Sequence, residues 1–149
     1  MTSTTNLLAN FQHAKSDTFP EINEGVFSEQ AHQSANFIFQ SEDEDKIWLA
    51  TLETAVLRKL GYFKLSASML AEQMAISRPT FFRKVKHLTG LTPQQYIVEM
   101  RFCAARVWLE TRRYSRVKTV AISAGFRDVE HFSKQFRKRF GKRPSDYLA

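Results

Sequence analysis

Apolar residues recur along most of the chain at helical spacing. Leu49, Leu52, Val56 and Leu60 follow the i, i+3, i+4 rhythm of a buried helix face, and Gly61 supplies a stop. Ser66 is placed to cap a short helix carrying Leu70, Ala71 and Met74. Ser77 caps the next, whose Phe81, Val85 and Leu88 form an i, i+4, i+7 stripe before Gly90. Thr92-Pro93-Gln94-Gln95 then joins a capping box to a proline at the first helical position. Val98, Phe102, Ala105 and Leu109 line one face of the helix it opens, which runs to about Thr111, roughly 28 Å at 1.5 Å per residue. Ser115 is the expected cap of a further short helix holding Val117, Val120 and Ala121. Gly125 breaks it, Asp128 caps the following helix, and Phe132, Phe136 and Phe140 recur at every fourth position before Gly141. Pro144 begins a last turn through Tyr147. No stretch alternates convincingly as a strand does, so the predicted fold class is all-α, with about seven helices.

The two halves of this pattern repeat. Ser77, Phe81, Val85, Gly90, Pro93 and Tyr96 map onto Asp128, Phe132, Phe136, Gly141, Pro144 and Tyr147 at a constant offset of 51. Ala71 maps onto Ala121 at an offset of 50, so one residue has been added near Gly125. Caps, core, glycine, proline and tyrosine all recur in order, which points to an internal duplication of a helix-turn-helix unit.

Composition changes the picture once it is resolved along the chain. The 149 residues carry a formal net charge of +7 and 43% apolar residues, enough for a core. Residues 1–45 hold Lys15 and eight acids, including the run Glu42-Asp43-Glu44-Asp45, for a net of −7. Residues 46–149 hold 21 bases and seven acids, for a net of +14. The first segment therefore reads as an acidic linker or tail, partly disordered, although Phe11, Phe19, Phe27, Phe37 and Phe39 are unusual for a plain spacer. Such a tail could dock a partner or fold back on the basic surface. A basic domain of about 100 residues favours polyanions, nucleic acid first among them.

The residues also resemble a known family. Leu70-Ala71, Ser77, Phe81, Arg83, Val85-Lys86, Gly90, Thr92-Pro93, Tyr96-Ile97, Arg101, Ala105, Ala121, Gly125-Phe126, Asp128, Phe132, Phe136, Gly141, Pro144 and Tyr147 resemble the AraC/XylS DNA-binding domain over about residues 46–149. The phrase from Ser77 to Lys84 is especially similar to versions fused to two-component sensor proteins. Trp108 departs from the pattern, which usually has leucine there, and residues 1–45 are too few for a sensory barrel. The resemblance implies two homeodomain-like helix-turn-helix subdomains, about 66–90 and 115–141, joined by a linking helix at about 92–111. It implies sequence-specific binding of double-stranded DNA and regulation of transcription, with Arg101 in a structural ion pair, for example with Glu53 or Glu72.

A linking helix of that length sets two recognition helices apart by a distance comparable with one duplex turn, so both can enter successive major grooves on one face. Removing the buried stripes leaves Pro79, Thr80, Phe82 and Arg83 among the outward residues of the first recognition helix as base-reading candidates, and the resemblance implies Val129, Glu130 and Lys134 for the second. Arg83 suits guanine O6 and N7, with a solvated or phosphate-bound arginine as the alternative. Phe82 either meets thymine methyl groups or packs against the preceding helix. Glu130 either accepts from a cytosine amine or is a favourable charge in a helix first turn. Arg78, Lys86, Lys118, Arg127 and Lys138 are the phosphate candidates.

Other classes fit less well. His13, His32, His87 and His131 have no metal spacing with one another or with Cys103, and no glycine-rich phosphate loop occurs, so no catalysis, metal or cofactor is expected. The N-terminus lacks the features of a signal peptide and the apolar runs are short, so a cytoplasmic location with no membrane partner is expected. No small-molecule ligand is evident, and RNA polymerase is a candidate second partner. Two alternatives stay open: an effector fragment of a two-component protein with a separate sensor or receiver domain, and a sequence-indifferent architectural DNA binder.

Overall fold

The computed structural model describes residues 31–149, with side chains from Glu42 onward. The readings that fall on Phe11, Phe19, Phe27, His13 and the first 30 residues lie outside this range. The described residues form seven helices and no strand: α1 (Ala31–Arg58), α2 (Ala67–Gln73), α3 (Arg78–Thr89), α4 (Pro93–Glu110), α5 (Val117–Ser123), α6 (Val129–Phe140) and α7 (Pro144–Leu148). The chain divides into two units, with the boundary after Glu53.

The caps explain most of these boundaries. Ser66, Ser77 and Asp128 each accept a hydrogen bond from the backbone N–H three residues on, at 3.3, 3.3 and 2.9 Å. Thr92 and Gln95 complete the capping box of α4, with both reciprocal bonds formed, at 3.0 and 3.2 Å. Gly90 and Gly141 close α3 and α6 in the left-handed conformation at φ 74 and 77.

Two boundaries differ from the sequence expectation. Helix α1 begins at Ala31 and so runs across position 45, where the acidic segment was expected to end. Apolar periodicity marks only where a helix buries a face, and the exposed run Glu42 to Glu44 has none to show. The cap of α5 is Arg116, which makes no side-chain capping bond, rather than Ser115. After α4 the chain passes through Arg112 at φ 52 and α5 opens at Val117, so Ser115 lies one position before the cap.

Residues 54–149 pack as two helix pairs on the linking helix: α2 on α3 and α3 on α4, then α5 on α6 and both α5 and α7 on α4. Leu70, Ala71, Phe81, Val85 and Ile97 are buried in the first repeat. In the second, Phe102, Ala105, Leu109, Val120, Ala121, Ala124, Phe132 and Phe136 form one cluster. Phe102 stacks on Phe132 at 5.8 Å and Phe136 meets Phe140 at 4.6 Å, so the every-fourth-residue phenylalanines form the apolar seam of α6.

Arg101 is buried at 7% exposure and, among the described residues of its own unit, pairs with no carboxylate. Its Nη2 donates to the Tyr62 carbonyl oxygen at 2.9 Å, and burial lowers its pKa from the ordinary arginine value. The other acid considered for it in this unit, Glu72, lies exposed on α2. A backbone carbonyl in the turn after α1 takes the role the ion pair was expected to fill.

Candidate nucleic-acid interface

Helix α3 turns Phe81 and Val85 inward, and at 100° per residue Pro79, Phe82, Arg83 and Lys86 then share the opposite face. All four are exposed, together with Arg78 and Thr80. Phe82 is 46% exposed, so nearly half of its surface is open to a partner. A large aromatic ring beside cations on a solvated helix face costs apolar exposure that a binding partner would remove. Thr80 is less free than expected, because its hydroxyl accepts from Ser77 Oγ at 2.8 Å within the cap.

Helix α6 repeats the arrangement 51 residues on. Phe132 and Phe136 point inward, and Glu130, Lys134 and Arg137 share the outer face, all exposed. Lys134 Nζ lies 2.9 Å from Glu130 Oε1, and this hydrogen bond raises the ammonium pKa. With both side chains largely in water, the pair adds little stability and either partner is available to a ligand. Glu130 also sits in the first turn of α6, where its charge favours the helix dipole. Val129 is half-buried and packs against the cluster around Phe132, so it has less reach outward than its neighbours.

The phosphate candidates Lys86, Lys118, Arg127 and Lys138 are exposed, as is Arg78. Arg127 has a fixed station, with its guanidinium 4.4 Å above the Phe63 ring. Arg139, on the inner flank of α6, is engaged otherwise: it pairs with Glu99 at 3.3 Å and lies 4.0 Å from the Phe102 ring. Arg137 is an outward residue to which the sequence reading gave no role. It occupies in α6 the position Lys86 holds in α3, and the 51-residue offset already contained that signal.

Among the described residues no group of three or more His, Cys, Asp or Glu could hold a metal ion, and no helix is long and apolar enough to cross a membrane.

Comparison with known proteins gives these faces a context. A family model described as a helix-turn-helix domain matches residues 70–149. Over 75 residues the chain is 41% identical to the HTH-type transcriptional activator RhaS of Pectobacterium atrosepticum, covering 50% of this chain and 26% of that protein. Over 77 residues it is 35% identical to Histidine kinase P4 of Formosa agariphila, covering 52% of this chain and 6% of that protein. The fold superposes on the DNA-binding domain of the global transcriptional factor AdpA, solved in complex with a target DNA. The TM-score is 0.58 at 33% identity, covering 67% of this chain and 88% of that one.

Proposed function

The chain belongs to the helix-turn-helix family of AraC/XylS type, and from that premise we propose that it binds double-stranded DNA sequence-specifically and regulates transcription. Helices α3 and α6 would enter successive major grooves on one DNA face. The observation that carries the reading is the duplicated outer face: Arg83 and Lys86 on α3 recur as Lys134 and Arg137 on α6 at one offset, each opposite a buried apolar stripe. The likeness to RhaS and to the AdpA domain supports it.

In this reading Pro79, Thr80, Phe82 and Arg83 read bases in one half-site, and Val129, Glu130 and Lys134 read the other. Arg83 donates to guanine O6 and N7, Phe82 covers thymine methyls, and Glu130 accepts from a cytosine amine once Lys134 turns to the DNA. Arg78, Lys86, Lys118, Arg127 and Lys138 hold phosphates and set register, joined by Arg137. The chemistry is recognition, with no reaction catalysed, and the location is cytoplasmic with the DNA.

The test is a binding selection from random duplex DNA with the full chain. Recovery of a site with two half-sites about one helical turn apart is expected. Sequences indistinguishable from the starting pool would overturn the reading in favour of architectural binding. Regulation, with RNA polymerase as second partner, is read by transcription in vitro from a promoter carrying the selected site; a transcript yield unaffected by the protein refutes that part.

The likeness to Histidine kinase P4, of which the chain spans 6%, supports a second reading as the output module of a two-component protein. The mass of the native protein decides it. A larger species carrying this domain supports the module, and a native chain of 17.3 kDa overturns it.

A further inference from the structure

The turns inside the two helix-turn-helix units follow the same backbone course. In the first, Ala75 takes φ 57, its N–H donates to the Glu72 carbonyl, and the Ile76 N–H donates to the Ala71 carbonyl. Fifty residues on, Gly125 takes φ 92, its N–H donates to the Ile122 carbonyl, and the Phe126 N–H donates to the Ala121 carbonyl. Since the first turn holds an alanine, the turn geometry by itself does not demand glycine.

The surroundings differ. Ala75 is exposed and Gly125 is buried. A Cβ on Gly125 would lie 2.3 Å from the Leu60 carbonyl oxygen, 2.8 Å from Arg101 Nε and 3.0 Å from Arg101 Cζ. Those atoms come from two other elements, the turn after α1 and the middle of α4. The same guanidinium donates from Nη2 to the Tyr62 carbonyl at 2.9 Å. A Cβ on Gly61 would stand 3.3 Å from the Ser123 carbonyl oxygen, so the two turns approach backbone to backbone. Because the offset is 50 through Phe126 and 51 from Asp128, the added residue of the second turn is Arg127. Arg127 is also the residue that lies 4.4 Å over Phe63. The second turn is thus held at both ends by contacts to residues 60–63 and to α4.

We propose that this junction is a spacing device: Arg101, a positioning residue that touches no DNA, fixes the second turn and with it α6, so that the protein accepts one separation between half-sites. The inference rests on the two-groove reading above. Helix α6 begins four residues after Gly125, so the placement of the turn sets the placement of the helix. One base pair changes half-site separation by about 3.4 Å together with a rotation about the duplex axis. A flat guanidinium wedged between a carbonyl and a glycine resists such a shift, because a buried donor and a close-packed backbone would both lose their partners.

The experiment uses the selected operator and versions with one base pair inserted or removed between half-sites. The full chain, Arg101→Met and Phe63→Ala are each titrated with all three duplexes. The readout is the ratio of affinities between native and altered spacing, because loss of folded protein lowers every affinity alike and leaves the ratio unchanged. The unsubstituted chain is expected to prefer the native spacing by about tenfold or more, and each variant by about threefold or less. Retention of the full ratio by Arg101→Met overturns the inference, and if that variant does not fold, Phe63→Ala decides by the same ratio. An unsubstituted chain indifferent to spacing overturns the two-groove reading and the inference with it.

Discussion

Arg83 and Lys86 stand three positions apart on the same exposed face of α3, yet the chemistry of their side chains separates their expected roles. A planar fork can match guanine O6 and N7, whereas an ammonium is a point charge suited to phosphate. Arg83→Ala is expected to relax preference at one half-site, costing about 1–3 kcal/mol of discrimination there, as read by repeating the binding selection. Lys86→Ala is expected to weaken all sequences alike and to reduce the salt slope of log K by about 0.9. A selection profile unchanged by Arg83→Ala removes its base-reading role.

Glu53 makes a prediction of a different kind. Its Oε1 is buried with no hydrogen-bond partner among the described residues, and burial pushes its carboxyl from 4.5 up to about 7. The folded state therefore holds this proton more tightly than the unfolded chain does. Its stabilising contribution is complete below pH 4.5 and is lost as the pH rises through about 7. Urea denaturation of Glu53→Gln is expected to show a flatter profile than the unsubstituted chain between pH 5 and about 8, with the variant relatively more stable at the upper end. Parallel profiles for the two proteins would refute the assignment.

At the scale of elements, the glycines that end helices and the glycine inside a helix-turn-helix turn have different physical origins. Gly90 sits at φ 74, and a Cβ added there would meet nothing within 4 Å, so Gly90→Ala bears the left-handed backbone cost alone, about 1 kcal/mol. Gly125 adds a collision with the Leu60 carbonyl, and Gly125→Ala is expected to cost about 3 kcal/mol or more. Comparing denaturation midpoints tests this, and equal losses would sink the distinction. Sequence reasoning located both glycines, as well as the caps Ser66, Ser77, Thr92 and Asp128, because these signals are local: a side-chain oxygen three residues from an N–H, or a missing Cβ at a stop. It misplaced the cap of α5 by one residue because Ser115 has the capping side chain, whereas the cap is Arg116, which matches Ser66 at the offset of 50. It gave no sign of the helix across position 45 because the exposed run Glu42 to Glu44 carries no apolar period.

At the scale of the whole molecule, the cations act together on one polyanion. Six phosphate contacts predict a slope of log K against log salt of about −5.4, so affinity falls steeply between low and moderate salt. A flat dependence in a salt titration with the selected operator would refute a phosphate-gripping mode. That the chain is a duplicated helix-turn-helix domain with two cationic outer faces was legible from residue order alone, since helical period, caps and the 51-residue repeat are properties of neighbours along the chain. The exposure of Phe82, the anchoring of Arg127 on Phe63 and the burial of Arg101 against Gly125 were decided only by tertiary structure. These depend on packing between segments distant in sequence. A periodic pattern says which face of a helix turns inward, and it carries no information about which backbone carbonyl will be waiting there.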